Sequence, residues 1–353
     1  MDRRDFLRSR HLASTAGHVL GALDEIQSLS VEDVAPPQES AMLHLARRAM
    51  ATSFEILLPF ETAHAAEMGE AAFELIDALE AQLTVYRDDS EVSRLNQLAA
   101  DRPVPVEAGL FDLLRLAQRV SEETGGAFDV TAGALIKAWG FFRGPKRVPG
   151  EEELRQSMER VGMRWVTLAP EGRSVRFGRR GLEINLGAIG KGYALDRVRE
   201  LLEKEWNLPA ALLHGGYSSV YAKGAPPGDE RGWPVGITHP WERSRRVALV
   251  RLRDRALGNS AATFQHLEYN GRKLGHVLDP RSGWPAAGVA SASVVAPTAA
   301  EADALSTAFY VGGVELARRY CADHPNVGAV LLPEGAARPV VLNLAPHEIT
   351  LTP

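Results

Sequence analysis

The C-terminal half of the sequence alternates short apolar runs with turns, and this alternation limits the possible folds more than any other feature. Short apolar runs bounded by turn residues are typical of strands in a sheet. The apolar runs are Ala211 to Leu213, Val247 to Leu252, Val289 to Val295 and Val327 to Leu332. One helical pattern, from Glu301 to Tyr320, interrupts them. The sequence therefore predicts a mixed α/β fold.

The interrupting helix has a clear start signal. Thr298-Ala-Ala-Glu301 follows Pro297 and forms a capping box, in which a hydroxyl and a carboxylate satisfy first-turn backbone donors. Asp303 and Thr307 lie four residues apart, so they share one face of the helix, away from the apolar stripe. This spacing predicts a carboxylate and a hydroxyl side by side. An ordinary exposed helix face, with an acidic residue near the N-terminus, remains an alternative interpretation.

The N-terminal half adds further strand and helix patterns. Apolar residues alternate with small or polar ones between Arg48 and Pro59, which predicts a strand with one buried face. The remaining predictions are helices over His64–Leu83, Leu110–Glu123 and Tyr193–Trp206, and a short strand over Leu182–Leu186.

Length and composition narrow the class of protein. The chain has 353 residues, 45% of them hydrophobic and 24% charged, which is enough for a large core. The net charge is −5 and no long Lys/Arg block occurs, so nucleic acid is not an expected partner. We predict one elaborated α/β domain over 41–353, after a tail of residues 1–40. No apolar run reaches the length of a membrane-spanning helix.

The first residues resemble an export signal. Arg3 and Arg4 precede Phe6-Leu7, as in twin-arginine signals. The stretch from His11 to Leu23 is only weakly apolar, and no small-x-small cleavage site is evident. Two locations therefore remain open: the periplasmic side of the cell envelope if the segment is a signal, and the cytoplasm otherwise.

The segment from Leu186 to Gly192 has glycines at 187, 190 and 192 and a lysine at 191. Glycines let backbone N–H groups approach an anion, and Lys191 adds a positive charge, so a phosphate site is one interpretation. The segment is not a Walker loop, because Asn185 and Gly192 replace its first Gly and its Ser/Thr. A strand-to-helix turn with a surface lysine is the other interpretation.

Two more segments carry chemically useful side chains. His276 lies three residues before an Asp279-Pro280 turn, where it is either a general base or a structural histidine. Asp303 and Thr307 offer hard oxygen ligands, which suit Mg²⁺.

Taken together and in this order, these segments resemble the FAD:protein FMN transferase family, also called the ApbE family. The resemblance runs from about Arg48 to Gly312, and the ordered set is more specific than any one member. The matching segments are Met50-Ala-Thr52, Tyr86 with Ser90–Asn96, Gly126–Asp129, Leu186–Tyr193 with Asp196, Gly215-Gly216, His276 with Asp279–Gly283, and Ala302–Thr307.

The resemblance implies a T-fold-like α/β domain that binds FAD, with Mg²⁺ at the pyrophosphate. It also implies transfer of FMN to a Thr or Ser hydroxyl of a partner flavoprotein, with release of AMP. His276 would be the base, and the metal ligands would be the Ala188 carbonyl, Asp303 and Thr307. The residues that would contact FAD are Met50, Tyr86, Ala127, Phe128, Asp129, Asn185 and Lys191.

The sequence departs from the family pattern at several positions. Asn185 stands where the family usually has Asp, and Asn259-Ser260-Ala261 replaces Thr-Ser-Gly. Tyr217 follows the glycine pair in place of a polar residue, and Ala51 replaces a Gly after Met50. Two other functions therefore remain open: an FAD pyrophosphatase that releases FMN and AMP, and a flavin-binding protein without catalysis.

Overall fold

A computed structural model describes residues 41–242, 244–261, 266–269 and 271–352 of the chain. The predicted tail of residues 1–40, with Arg3 and Arg4, lies outside the described residues. The described part forms seven α-helices and sixteen strands, so the predicted mixed α/β class is confirmed.

The helices are α1 (Ala65–Leu83), α2 (Glu91–Leu98), α3 (Ala108–Glu123), α4 (Gly133–Ala138), α5 (Glu151–Met158), α6 (Gly190–Trp206) and α7 (Ala299–Asp323). The strands are β1 (Met42–Ala49), β2 (Thr52–Pro59), β3 (Val104–Pro105), β4 (Val166–Ala169), β5 (Ser174–Phe177), β6 (Ala211–Gly215), β7 (Ser219–Lys223), β8 (Trp233–Thr238), β9 (Arg246–Leu252), β10 (Arg255–Ala261), β11 (His266–Tyr269), β12 (Arg272–Gly275), β13 (Val289–Ala296), β14 (Gly328–Pro333), β15 (Val340–Leu342) and β16 (Ile349–Leu351).

The core of the fold is an eight-stranded antiparallel sheet, with strand order β1-β2-β6-β7-β10-β13-β14-β15. Its two faces carry different side chains because neighbouring residues of a strand point to opposite sides. The face that bears Ile56 and Leu213 packs against the helices. The face that bears Leu57 and Leu212 packs against a smaller sheet of β8, β9 and β16. Both faces are therefore buried over much of their area.

The alternation predicted between Arg48 and Pro59 is present, but it belongs to a hairpin. Phe54, Ile56 and Leu58 are buried on β2, as the pattern requires. Met50 and Ala51 form the turn from β1 to β2, with left-handed φ angles of 48° and 61°. The sequence did not reveal this turn, because neither residue is a Gly or Asn.

The predicted helices are present with modest changes at their ends, but the strand predicted over Leu182–Leu186 is wrong. Only isolated bridge pairing occurs there, between Ala132 and Glu183. The backbone of Ile184 instead bonds to the side chain of Asn96 on α2: its N–H donates to Oδ1 at 2.7 Å and its carbonyl accepts from Nδ2 at 2.9 Å. An asparagine side chain thus replaces a neighbouring strand.

Helix α7 crosses the helix-covered face of the large sheet. Its capping box is confirmed in part, since Thr298 Oγ1 accepts from the Glu301 N–H at 3.3 Å. The helix continues to Asp323 with a break at Gly313, whose φ is 77°. None of the described helices is both long enough and apolar enough to span a membrane.

Candidate active site

The glycine-rich segment forms a tight turn that leads into α6. Asn185 Oδ1 accepts from the Gly187 N–H at 2.9 Å, and the Asn185 N–H donates to the Val130 carbonyl at 2.7 Å. One bond therefore holds the turn itself in shape, and the other attaches it to the segment after α3. Lys191 is the second residue of α6, so its charge lies at a helix N-terminus, where backbone N–H groups also favour an anion.

Asp303 lies on α7 next to the start of α6. Its Oδ2 accepts from the Gly192 N–H at 2.8 Å, and Ser219 Oγ lies 2.7 and 2.8 Å from the two carboxylate oxygens. Asp303 is only 5% exposed, so the interpretation of its helix face as solvent-exposed is wrong. Burial raises the pKa of Asp303 to about 6, although the nearby charge of Lys191 and the bond from Ser219 oppose the shift.

Thr307 lies one turn after Asp303, on the same face of α7. Its Oγ1 donates to the Asp303 carbonyl at 3.3 Å and lies 3.2 Å from Ser260 Oγ on β10. Ser260 Oγ is also 2.9 Å from Ser306 Oγ. Thr307 therefore belongs to a cluster of three hydroxyl groups, with Ser260 and Ser306, that bonds to the backbone carbonyl of Asp303. Ser219 and Ser260 were not assigned a role from sequence, because a lone serine in a strand carries no signal.

Asp196 on α6 contacts the start of α7, just as Asp303 on α7 contacts the start of α6. Its two carboxylate oxygens accept from the Ala299 and Ala300 N–H groups, each at 2.8 Å. Burial raises the pKa of Asp196 to about 7, against the effect of these two backbone donors. Asp196 is part of the family motif, but the sequence alone gave it no function.

The ring of Tyr86 stacks on an aromatic side chain of the segment after α4. Its ring stacks on Phe142 with centroids 4.7 Å apart and planes 3° apart. The Arg143 guanidinium lies 5.6 Å from the Tyr86 ring and 5.3 Å from the Phe142 ring, and it donates to the Tyr86 carbonyl at 2.7 Å. Tyr86 is still 55% exposed, so part of its surface is open to a planar ligand. The sequence did not reveal Phe142 and Arg143 as partners of this ring.

The segment from Gly126 to Asp129 is packed inward. Ala127 and Phe128 are buried in the main core, so only their backbone could face a ligand. Asp129 accepts from Thr131 N and Oγ1, at 2.8 and 2.6 Å, and from Met163 N at 2.9 Å. Burial raises the pKa of Asp129, and these bonds oppose the shift. The carboxylate thus holds the turn together.

His276 follows β12 directly and is half-buried. The turn after it is built by Asp279, which accepts from the Arg281 N–H at 2.9 Å and pairs with the Arg281 guanidinium at 2.8 Å. A Cβ built on Gly126 would lie 3.7 Å from Arg281 Cγ. The segment of His276 therefore lies beside the Gly126–Asp129 turn.

Met50 lies partly buried against the main core, on the turn between β1 and β2. The neighbouring turn between β6 and β7 touches this hairpin, because the Gly216 N–H donates to the Ser53 carbonyl at 2.8 Å. Tyr217 on that turn is fully exposed. Ala261, the last residue of β10, is partly exposed.

The oxygen donors of the site suit a hard divalent cation. Asp303 supplies a buried carboxylate, Thr307 a hydroxyl one turn away, and Ala188 a carbonyl in the turn before α6. In the part of the chain that the structure describes, no three His, Cys, Asp or Glu side chains gather as a metal site. One carboxylate and one hydroxyl, a helical turn apart, fit a cation that takes few protein ligands and completes its shell with water and phosphate, as Mg²⁺ does.

Comparison with known proteins shows which family this chain is similar to. A FAD:protein FMN transferase of Treponema pallidum (strain Nichols) is 34% identical over 279 residues, covering 74% of this chain and 76% of that protein. The one of Escherichia coli (strain K12) is 29% identical over 278 residues, covering 77% and 78%. The crystal structure of the ApbE protein of Thermotoga maritima superposes with a TM-score of 0.76 at 29% identity, covering 84% of this chain and 96% of that one. Residues 50–331 match the ApbE family, and the chain therefore belongs to that family.

Proposed function

We propose that this protein is a FAD:protein FMN transferase. It moves FMN from FAD to a Thr or Ser hydroxyl of a partner flavoprotein, releases AMP and requires Mg²⁺. The single observation that carries the proposal is the buried carboxylate of Asp303, held beside Lys191 and the start of α6 with Thr307 one turn away. The names of the Treponema and Escherichia relatives support the same activity.

The FAD pyrophosphate binds at the start of α6, because backbone donors and the Lys191 ammonium favour negative charge there. The isoalloxazine ring stacks on the exposed part of Tyr86. Met50, Asn185 and the backbone of Ala127, Phe128 and Asp129 contact FAD between the ring and the pyrophosphate. This arrangement holds FAD by its isoalloxazine ring and by its central pyrophosphate, with the pyrophosphate next to Asp303.

Asp303, Thr307 and the Ala188 carbonyl would hold the cation. A bound Mg²⁺ supplies positive charge that neutralises the pyrophosphate and the departing AMP. The Gly192 N–H and the Ser219 hydroxyl keep the Asp303 carboxylate oriented while it does so.

His276 accepts the proton of the acceptor hydroxyl. The hydroxyl oxygen forms a bond to the phosphorus on the FMN side, the bond from that phosphorus to the bridging oxygen breaks, and AMP leaves with the electron pair. Phosphoryl transfer of this kind relies mainly on positioning and charge neutralisation. The protein groups that this reaction uses are therefore Lys191, Asp303 with its cation, and His276 as the base.

Purified protein incubated with FAD and Mg²⁺, with and without an acceptor flavoprotein, tests the proposal. We expect AMP and protein-bound flavin in equal amounts, only when the acceptor is present. An acceptor whose target Thr or Ser is changed to Ala or Val should remain unlabelled, and excess chelator should stop both products.

Other outcomes have distinct meanings. Free FMN with AMP in the absence of acceptor would identify an FAD pyrophosphatase instead. Saturable FAD binding with no product under any condition would identify a flavin-binding protein without catalysis. Undiminished turnover in excess chelator would reject the role of the metal.

A further inference from the structure

Helices α6 and α7 each cap the first turn of the other. Asp196 on α6 accepts from the Ala299 and Ala300 N–H groups, which belong to the first turn of α7. Asp303 on α7 accepts from the Gly192 N–H, which belongs to the first turn of α6. Each helix thus supplies a buried carboxylate to the unpaired donors of the other.

This reciprocal cap fixes the first turn of α7 from several sides. Gly192 and Gly258 pack against its backbone so closely that a Cβ at either position would collide with it, at Ala299 and Ala302 respectively. Thr298 satisfies a third donor, that of Glu301. Asp196 provides the only side chain among the described residues that bonds to the Ala299 and Ala300 donors. The direction in which α7 starts therefore depends on Asp196.

The position of Asp303 follows from that direction, because Asp303 lies one turn after Ala299. We infer that Asp196 is a positioning residue for the cation site: it never touches the cation, but it holds the helix turn that carries the ligand Asp303. The inference rests on the proposed function, since it concerns the same cation. Changes to groups that orient metal ligands typically weaken metal binding 10- to 100-fold.

Asp196→Asn is the informative substitution. The amide has the same size, keeps one acceptor oxygen and turns a donor NH₂ toward the second backbone N–H. One of the two bonds to α7 is lost and the first turn shifts. We expect the dissociation constant for the cation to rise at least tenfold, while FAD affinity in excess chelator stays within about twofold.

The chain offers a matched control in Glu107. Its carboxylate also accepts from two first-turn N–H groups, those of Gly109 and Leu110 on α3, at 2.7 and 3.1 Å. Glu107→Gln removes the same charge and also a cap of two first-turn donors, but Glu107 is the exposed N-cap residue of α3 itself, and α3 carries none of the proposed site residues. It should lower the melting temperature and leave cation affinity within about twofold.

The experiment titrates Mn²⁺ into the full protein with FAD and without acceptor, and reads unbound Mn²⁺ from its EPR signal. Weaker Mn²⁺ binding by Asp196→Asn alone supports the inference. Equal affinity for wild type and Asp196→Asn overturns it, and so does equal weakening by Glu107→Gln. If wild type itself binds no Mn²⁺, the metal part of the proposed function fails and the inference fails with it.

Asp196→Glu serves if Asp196→Asn does not fold. It keeps the charge and both acceptor oxygens but adds one methylene, so it displaces the first turn of α7 without removing its cap. Weaker Mn²⁺ binding by a folded Asp196→Glu supports the inference, and unchanged Mn²⁺ binding contradicts it.

Discussion

Gly192→Ala should destabilise the protein, although alanine normally favours a helix. Helices α6 and α7 cross at Gly192 with no room for a side chain. A Cβ there would collide with the Ala299 carbonyl and would lie 2.7 Å from the Ala300 nitrogen. The colliding atoms are backbone, so no rotamer change can relieve the contact. The two helices must move apart, and the bond from the Gly192 N–H to Asp303 must lengthen.

Two opposing effects set how much stability Gly192→Ala loses. Adding a methyl group to a tightly packed site costs about 3 kcal/mol at the upper end of the usual range. Replacing a helical glycine by alanine returns about 1 kcal/mol. We therefore expect Gly192→Ala to lower the free energy of unfolding by about 2 kcal/mol, or roughly 30-fold in the unfolding equilibrium constant.

Gly190→Ala is the matched control, on the same helix and two residues earlier. A Cβ at Gly190 would meet only the Leu186 Cβ, at an ordinary 3.9 Å. This variant should be neutral or more stable by up to about 1 kcal/mol. Urea unfolding followed by circular dichroism measures both. If Gly192→Ala is as stable as Gly190→Ala, the helix crossing described here is wrong.

Three further predictions concern the site itself. His276→Ala should keep FAD affinity and lose flavin transfer by roughly 10²- to 10⁴-fold, the usual effect of removing a general base; an equal loss of FAD binding, measured by calorimetry, would contradict the role of base. Asn185→Asp should leave FAD affinity within about tenfold, because a carboxylate accepts from the Gly187 N–H as the amide does; failure of both forms to bind FAD would reject the flavin assignment. The pKa of Asp303 is raised to about 6 from the ordinary 3.8, so its contribution to the stability of the metal-free fold is complete below the lower value and is lost as pH rises through about 6. Mn²⁺ affinity should run the opposite way, increasing up to about pH 6 and levelling off above it, and Asp303→Asn should lose this rise in affinity together with the part of the stability change that Asp303 contributes.

Local patterns in the sequence were sufficient to predict much of the fold. The capping box at Thr298 and the helical spacing after it identified α7, because both signals depend on residues within one or two turns. The period-two alternation identified the buried face of β2. The segment before Asn185 was mistaken for a strand because its partner is the side chain of Asn96, 88 residues away. No local pattern reports a contact of that kind.

Local sequence patterns also predicted only part of the candidate site. Spacing placed Asp303 and Thr307 on one face of α7, but it could not tell that this face is buried. Burial comes from Gly192 and Ser219, which are 111 and 84 residues away in the chain. Burial raises the pKa of Asp303, whereas the bonds from those distant neighbours oppose that shift and fix the orientation of the carboxylate. The sequence therefore identified the side chains of the site, and the tertiary packing supplied their electrostatics.

Ala51, one of the departures from the family pattern, places backbone strain in the turn between β1 and β2. Its φ of 61° is left-handed, which costs an L-residue with a Cβ about 1 to 2 kcal/mol. Because the Ala51 side chain is exposed, this cost is conformational and not a collision. Ala51→Gly relieves it, and the greater freedom of glycine in the unfolded chain returns part of the gain. We expect a net increase of about 0.5 to 1 kcal/mol in the free energy of unfolding.

A control shows whether the stabilisation by Ala51→Gly comes from relief of backbone strain or would follow any change of alanine to glycine. Ala78 is exposed in the middle of α1, where φ is helical, so Ala78→Gly should lower the free energy of unfolding by about 1 kcal/mol. The same chemical change is thus expected to stabilise one site and destabilise the other in parallel urea titrations. If Ala51→Gly is also destabilising, the β1–β2 turn is not strained at this position. The alanine would then act in some way other than through its φ angle.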